Sequence, residues 1–291
     1  MGILRPLRRV LPKRFRKTGP VVSVVRMEGV IASGRAGFRS SQINMQSLAA
    51  PLERAFKSDV TAVVLLINSP GGSPVQSSLI AKRVRALAEE KELPVFAFAE
   101  DVAASGGYWL ACAADEIYAD ASSIVGSIGV IFSGFGFQEL IKRYGIERRV
   151  YAAGDHKGAL DPFQPEVTDD VERLKVAQAG IHESFKDLVR SRRAGKITAP
   201  EDTLFSGEFW TGMQAQDLGL IDGIGDLRSV MRARYGENVQ FNVIAPRRSW
   251  LRDRFGMGSG LRPVRFAGGA DLVDAAIGAV EERIIWGRYG L

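Results

Sequence analysis

Cysteine is almost absent. Cys112 is the only one in 291 residues, so no disulfide can form within the chain. It lies in an apolar helical run and reads as a packed core thiol. Histidine is nearly as scarce, with His156 and His182 alone. That argues against metal centres built from clustered Cys and His, and no cofactor is implied. No uninterrupted run of about 20 apolar residues is present to cross a membrane as a helix. Residues 121–138 lack charge, but their glycines, serines and glutamine make a poor span. Residues 1–17, "MGILRPLRRVLPKRFRK", hold seven basic residues and no acidic one. Without them the chain has 32 basic residues against 33 acidic ones, so its net charge of +6 belongs to the N-terminus. The body is not a nucleic-acid surface.

What is present is an ordinary globular composition, 46% hydrophobic, with enough chain for a substantial core. Arginines and prolines interrupt residues 1–17 too often for a secretory signal. Leu4, Leu7, Val10, Leu11 and Phe15 alternate there with basic residues. The segment reads as a basic tail, or as a peripheral contact with anionic membrane. A cytoplasmic or peripheral location is therefore expected. A basic segment is expected over 1–19, a main domain over 20–245, a basic Gly/Pro-rich linker over 246–270 and a final helix within 271–291.

Within the main domain, 20–31 reads as a strand and 42–57 as a helix containing Pro51. "VTAVVLLI" is a β-branched run without polar alternation, the pattern of a strand buried on both faces of a parallel sheet. A turn, "NSPGGSP", leads into the helical run "VQSSLIAKRVRALAEE". "PVFAFAE" repeats the buried-strand pattern, followed by Ser105-Gly106-Gly107, the helical run "YWLACAAD" and the short strand "EIYAD". Residues 60–118 thus form β-α-β-α-β, which parallel strands with helical crossovers satisfy. A further strand is expected at 147–152 and a loop at 153–165. Residues 166–193 read as one amphipathic helix, and two short helices are expected around a Gly-rich turn in 209–236.

Two of the buried strands end in a glycine pair that opens a helix: Ser69-Pro70-Gly71-Gly72 and Ser105-Gly106-Gly107. Helix N-termini present unpaired backbone N–H groups, and glycine lets a substrate approach them. Two such turns on neighbouring strands would aim two N–H groups at one point, as an oxyanion hole with a serine beside it requires. Each motif taken alone is also explained by capping or by an ordinary turn. A G-x-S-x-G elbow is absent. Ser105 needs a base to act as a nucleophile. His182 falls within the long helix and reads as a surface or packing residue. His156 and Lys157 share a polar loop. A lysine serves as base when burial disfavours its charged form.

"NSPGGS" at 68–73, "DVAASGGYWLACAAD" at 101–115, "GSIGVIF" at 126–132 and "FWTGMQAQDLGLID" at 209–222 together resemble the S49 family of serine peptidases, the signal peptide peptidase A group. The resemblance covers residues 20–235. It implies an α/β fold of the ClpP/crotonase-like kind, with repeated β-β-α and βαβ units, a largely parallel sheet and C-terminal helices. By the same resemblance Ser105 matches the nucleophile and Lys157 the general base of a Ser–Lys dyad. Ser127 matches the serine that orients the lysine amine. The backbone N–H groups of Gly72 and Gly106 match the oxyanion hole, with Gly71, Ser73 and Gly107 at the substrate. Peptide substrates, unstructured or membrane-derived, and a homo-oligomer are implied. Members commonly carry an N-terminal membrane span, which this sequence lacks. Two rivals stay open: a crotonase-like acyl-CoA enzyme and a peptide-binding scaffold without activity.

Overall fold

The computed structural model describes residues 19–33, 42–57, 59–244, 280 and 283–291. The basic segment up to residue 18, the linker expected at 246–270 and most of 271–282 lie outside them. In chain order the elements are β1 (Val21–Glu28), β2 (Val30–Ile31), β3 (Gln42–Ile43), α1 (Met45–Ala55), β4 (Ala62–Ser69), α2 (Pro74–Lys91), β5 (Val95–Ala104), α3 (Gly106–Ala111) and β6 (Glu116–Ala119). There follow β7 (Ile124–Gly126), α4 (Gln138–Arg143), α5 (Thr168–Arg192), α6 (Glu201–Leu204), β8 (Phe209–Thr211), α7 (Gly212–Asp217), β9 (Gly223–Ile224), α8 (Leu227–Tyr235) and β10 (Gln240–Val243). Residues 283–287 are also helical.

The expected α/β class with a largely parallel sheet is observed. The main sheet runs β10-β1-β4-β5-β6-β9, with β7 continuing alongside β5 beyond the end of β6. Every pairing in it is parallel except β7 with β8. β4 lies centrally, and its alternate residues feed two cores. Val63, Leu65 and Ile67 pack with Ile80, Val84, Leu87 and Trp109 on one face. Ala62 and Val64 pack with Phe96, Phe98 and Met231 on the other. Burying each such aliphatic side chain is worth about 1.5–3 kcal/mol, which is why this run takes the centre.

α2 is specified at both ends. Ser73 caps it through the Gln76 N–H, Pro74 stands in its first turn, and Glu92 closes it in the left-handed region. α1 is capped by Asn44 with Ser47 in a reciprocal box and runs through Pro51.

Some expectations need correction. The strand expected over 20–31 breaks after Glu28 into β1 and β2, because Gly29 takes a φ of 107°. Residues 147–152 form no strand; they are exposed and have no neighbouring strand to pair with. The stripe of the long helix is buried only at Phe185 and Val189, the end that meets Trp109 with ring centroids 4.6 Å apart. β10, unanticipated, forms the sheet edge against β1.

One irregularity positions the site. Ile67 pairs with Ala99, but Ser69 pairs with Ala103, so β5 carries two extra residues between them. Asn68 fills this bulge: its side-chain amide donates to Asp101 at 2.7 Å, and its oxygen accepts from the Val102 N–H at 3.2 Å. The bulge lets β5 pair with β6 through Phe96–Ala99 and with β7 through Val102–Ala104.

Candidate active site

The two glycine turns leave neighbouring parallel strands side by side. β4 ends at Ser69 and turns through Pro70, Gly71 and Gly72; β5 ends at Ala104 and turns through Ser105. The turns touch. A Cβ on Gly71 would lie 2.7 Å from the Ser105 Cβ and 2.8 Å from the Gly106 nitrogen. Gly71 and Gly72 have φ values of 103° and 137°, which side chains disfavour, and a Cβ on Gly72 would collide with the Ile31 carbonyl. A Cβ on Gly107 would meet the Ser69 carbonyl oxygen at 2.5 Å, and one on Gly106 would meet Ser77 Oγ at 2.6 Å. All four glycines are therefore required by close approach.

Two backbone donors are left unused. The Ile31 N–H donates to the Gly71 carbonyl at 2.8 Å, and the Ser73 N–H donates to the Ile31 carbonyl at 2.7 Å. This parallel bridge turns the N–H of Gly72 away from Ile31. Gly106 opens α3, where an N–H has no intrahelical acceptor. Neither N–H has an acceptor among the described residues.

Ser105 stands between them with φ 51° and ψ −120°, outside the regions L-residues favour. Such a backbone costs on the order of 1–3 kcal/mol and persists only where its surroundings hold it. The hold is visible: its N–H donates to the Gly126 carbonyl at 2.7 Å, and its carbonyl accepts from the Trp109 N–H at 3.0 Å. It occupies the cap position of α3, yet its hydroxyl makes no capping bond. Capping thus leaves the serine unexplained. Ser73 is different, because its hydroxyl is spent on capping α2.

Ser127 follows the Gly126 carbonyl that anchors Ser105. It is 8% exposed, has φ 53°, and donates its N–H to the Glu208 carbonyl at 2.6 Å. His182 reaches the next residue, with Nε2 3.1 Å from the Ile128 carbonyl oxygen, so it packs as expected. Cys112 is fully buried, and burial pushes its thiol up to about 12, which removes it as a nucleophile near neutrality. Among the described residues no group of His, Cys, Asp and Glu could hold a metal ion.

Lys157 is not brought to Ser105 by any contact. It is exposed in a turn closed by its own N–H on the Gly154 carbonyl at 3.1 Å, and its amine has no partner among the described residues. It belongs to an exposed arm, residues 130–167. The arm is held to itself by the Phe137 N–H on the Pro162 carbonyl at 2.6 Å, by Arg148 with Asp161 at 2.9 Å, and by the rings of Phe137 and Phe163.

The family model for peptidase family S49 matches residues 87–239, more than half of the chain. The chain belongs to peptidase family S49. This S49 chain is 51% identical over 98% of its length to a Brucella abortus protein named Na(+)/H(+) antiporter NhaA, of which it covers 39%. It is 29% identical over 76% of its length to the chloroplastic serine protease SPPA of Arabidopsis thaliana, of which it covers 32%. It thus spans well under half of these curated relatives. Among solved structures it is similar to a mutant of the 1510-N membrane-bound stomatin-specific protease in complex with a substrate peptide. The identity there is 16% and the TM-score 0.49, covering 81% of this chain and 99% of that one. No helix among the described residues is long and apolar enough to cross a membrane.

Sequence reasoning missed three contributors around the S49 motifs. The Gly126 carbonyl anchors Ser105; Phe209 lies opposite Gly126 in the β7–β8 pair; Tyr289 reaches Ser127. Gly126 and Phe209 each lie inside a quoted motif. Tyr289 lies in none and carried no signal.

Proposed function

We propose that this chain is a serine endopeptidase in which Ser105 attacks the peptide carbonyl. Lys157 takes its proton, Ser127 orients the amine, and the N–H groups of Gly72 and Gly106 receive the oxyanion. Lys157 then protonates the leaving amine and activates water for deacylation. The observation that carries this reading is Ser105 itself: a non-glycine residue at φ 51°, its hydroxyl uncommitted among the described residues, against a second glycine turn. A crotonase-like enzyme needs the paired N–H groups but not this serine.

The substrate is an extended, apolar and unstructured or membrane-derived peptide that adds alongside the glycine turns. Lys157 reaches its place when the arm packs. The arm exposes Ile131, Phe135, Tyr144 and Tyr151, with Tyr151 93% exposed, and a homo-oligomer would cover them. That packing also removes water from the amine, the condition under which lysine acts as a base. Residues 1–17 give a peripheral contact with anionic membrane, and the chain is a cytoplasmic or peripherally attached peptidase.

The test is labelling by a fluorophosphonate probe with mass-spectrometric mapping. Modification at Ser105, absent in Ser105→Ala, is expected together with cleavage of an unstructured peptide. Retained peptide affinity without labelling would favour a scaffold, and acyl-CoA turnover would favour the crotonase chemistry. Mixing Ser105→Ala with Lys157→Ala separates pairing within a chain from pairing between copies: recovered activity means pairing between copies.

A further inference from the structure

Residues 286–291 lie across the candidate cleft. Tyr289 Oη lies 3.4 Å from Ser127 Oγ and 3.5 Å from the Pro70 carbonyl oxygen, both long, and its single proton serves one of them at a time. One side chain therefore touches both lips: the turn that carries Gly71 and Gly72, and the residue after the Gly126 anchor. Its ring meets Phe209 edge-on, with centroids 5.3 Å apart and planes at 68°. Tyr289 and Leu291 also line a cavity of about 710 Å³ whose apolar walls include Leu66, Phe98 and Phe241, with Glu100, Asp101, Asp120, Asp226 and Arg228 as its charged residues. Leu227 and Arg228 from the start of α8 and Ile124 of β7 line it too.

Resting on the peptidase reading above, we propose that this segment is an internal occupant of the substrate cleft. Phe209 and the 710 Å³ cavity are then the side-chain subsites it shares with substrate. Phe209 stays 46% exposed even so, leaving ring surface for a ligand aromatic. The cavity's mixed lining, with four carboxylates against Arg228, suits a side chain with an aliphatic stem and a basic or polar end near that aromatic. Substrates of this chemistry are peptides with an aromatic residue and a long, polar-ended one close by.

The occupant's own backbone explains why it is not cut. The Tyr289 N–H donates to the Trp286 carbonyl at 2.9 Å, the Gly290 N–H to the Gly287 carbonyl at 3.2 Å, and the Leu291 N–H to the Trp286 carbonyl at 3.4 Å. The backbone bonds to itself in a turn. It offers side chains to the cleft but no extended strand to the glycine turns, and an extended strand is what cleavage requires. Because the segment is tethered, weak contacts suffice for it to compete.

The test uses the full chain. Tyr289→Ala is expected to lower KM for an unstructured apolar peptide about 3- to 10-fold with kcat unchanged, since only a tethered competitor is lost. Tyr289→Phe keeps the ring and should move KM less. Phe209→Ala weakens occupant and substrate together and should not lower KM. Placing p-benzoylphenylalanine at 289 reads occupancy without activity. Cross-links to the peptides holding Pro70, Ser127 or Phe209 are expected, and excess Trp-Gly-Arg-Tyr-Gly-Leu amide should suppress them. Cross-links elsewhere, or an unchanged KM in Tyr289→Ala, would overturn the proposal. If no form of the chain cleaves any peptide, the peptidase reading fails, while the cross-links still report whether the segment occupies the cleft.

Discussion

The glycine turns and the arm are built by opposite means. Around Ser105 the structure is over-determined: Gly106, Gly107, Tyr108 and Ser69 are buried, and four glycines sit at distances no side chain tolerates. The arm at 130–167 leaves Phe135 71% exposed and closes mainly on itself. A core can hold a strained serine because many contacts share the cost. A surface arm cannot fix an amine to within a hydrogen bond, so the proposed base waits for something to pack on it.

The contrast can be broken from either side. Lys157→Ala should have the largest effect on turnover, a loss of about 10²–10⁴-fold by loss of a general base. The melting temperature should be unchanged, because the side chain is exposed and its amine has no partner among the described residues. A fall in melting temperature comparable to that of a core variant would contradict the division between arm and body. Gly71→Ala strikes the other half. Its methyl meets Ser105 and the Gly106 nitrogen, so about 10²–10³-fold of activity and about 1–3 kcal/mol of stability should go together. Full activity in this variant, measured on the same peptide, would show that the two turns need not touch.

A stability probe remote from the chemistry sharpens the comparison. Arg193 is 1% exposed, bonds Asp222 at 2.6 Å and donates to the Gly219 carbonyl at 3.0 Å. Asp222 also accepts from Lys196 and from the Ile117 N–H, tying α5 to the sheet. Burial alone would raise the Asp222 carboxyl, but the hydrogen bonds from Arg193, Lys196 and Ile117 hold it below the usual carboxylate range. Its contribution is then fully present above about pH 4 and is lost as pH falls through the depressed folded value. Asp222→Asn should cost about 3 kcal/mol at neutral pH in denaturant titrations and flatten the acid limb of stability. An unaltered acid limb would count against the buried pair. The smallest effect on the isolated fold belongs to Tyr151→Asp. It should lower the mass of the proposed homo-oligomer in light scattering and leave the melting temperature of the chain within about 1 °C, as for an exposed substitution.

How much of this was legible beforehand differs between elements. β4 and β5 announced themselves as apolar runs without alternation, since a strand covered on both faces has no use for polar residues. α2 was legible as the helical run 75–90, while Ser73 and Pro74, expected in the turn before it, cap and open it. The strand expected at 147–152 failed because propensity cannot supply a partner edge. β10 was invisible for the converse reason: Gln240, Phe241, Asn242 and Val243 are unremarkable until β1 lies beside them. In the site, Ser105 and the glycine turns stood out as motifs. The bulge at Asn68 and the reach of Tyr289 did not, because each joins residues distant in the chain.

By itself the amino-acid order determined the strand runs, the glycine turns that end two of them, and which serine stands at the second. Those are local matters of backbone freedom and of which side chains leave water. Only the tertiary structure decided that the two turns touch, that Ser105 is held at a strained φ with its hydroxyl unpartnered among the described residues, and that Tyr289 reaches Ser127 and Phe209. It also decided that Lys157 stands apart on an exposed arm. Those outcomes depend on register and on contacts between residues far apart in sequence, which no local pattern encodes.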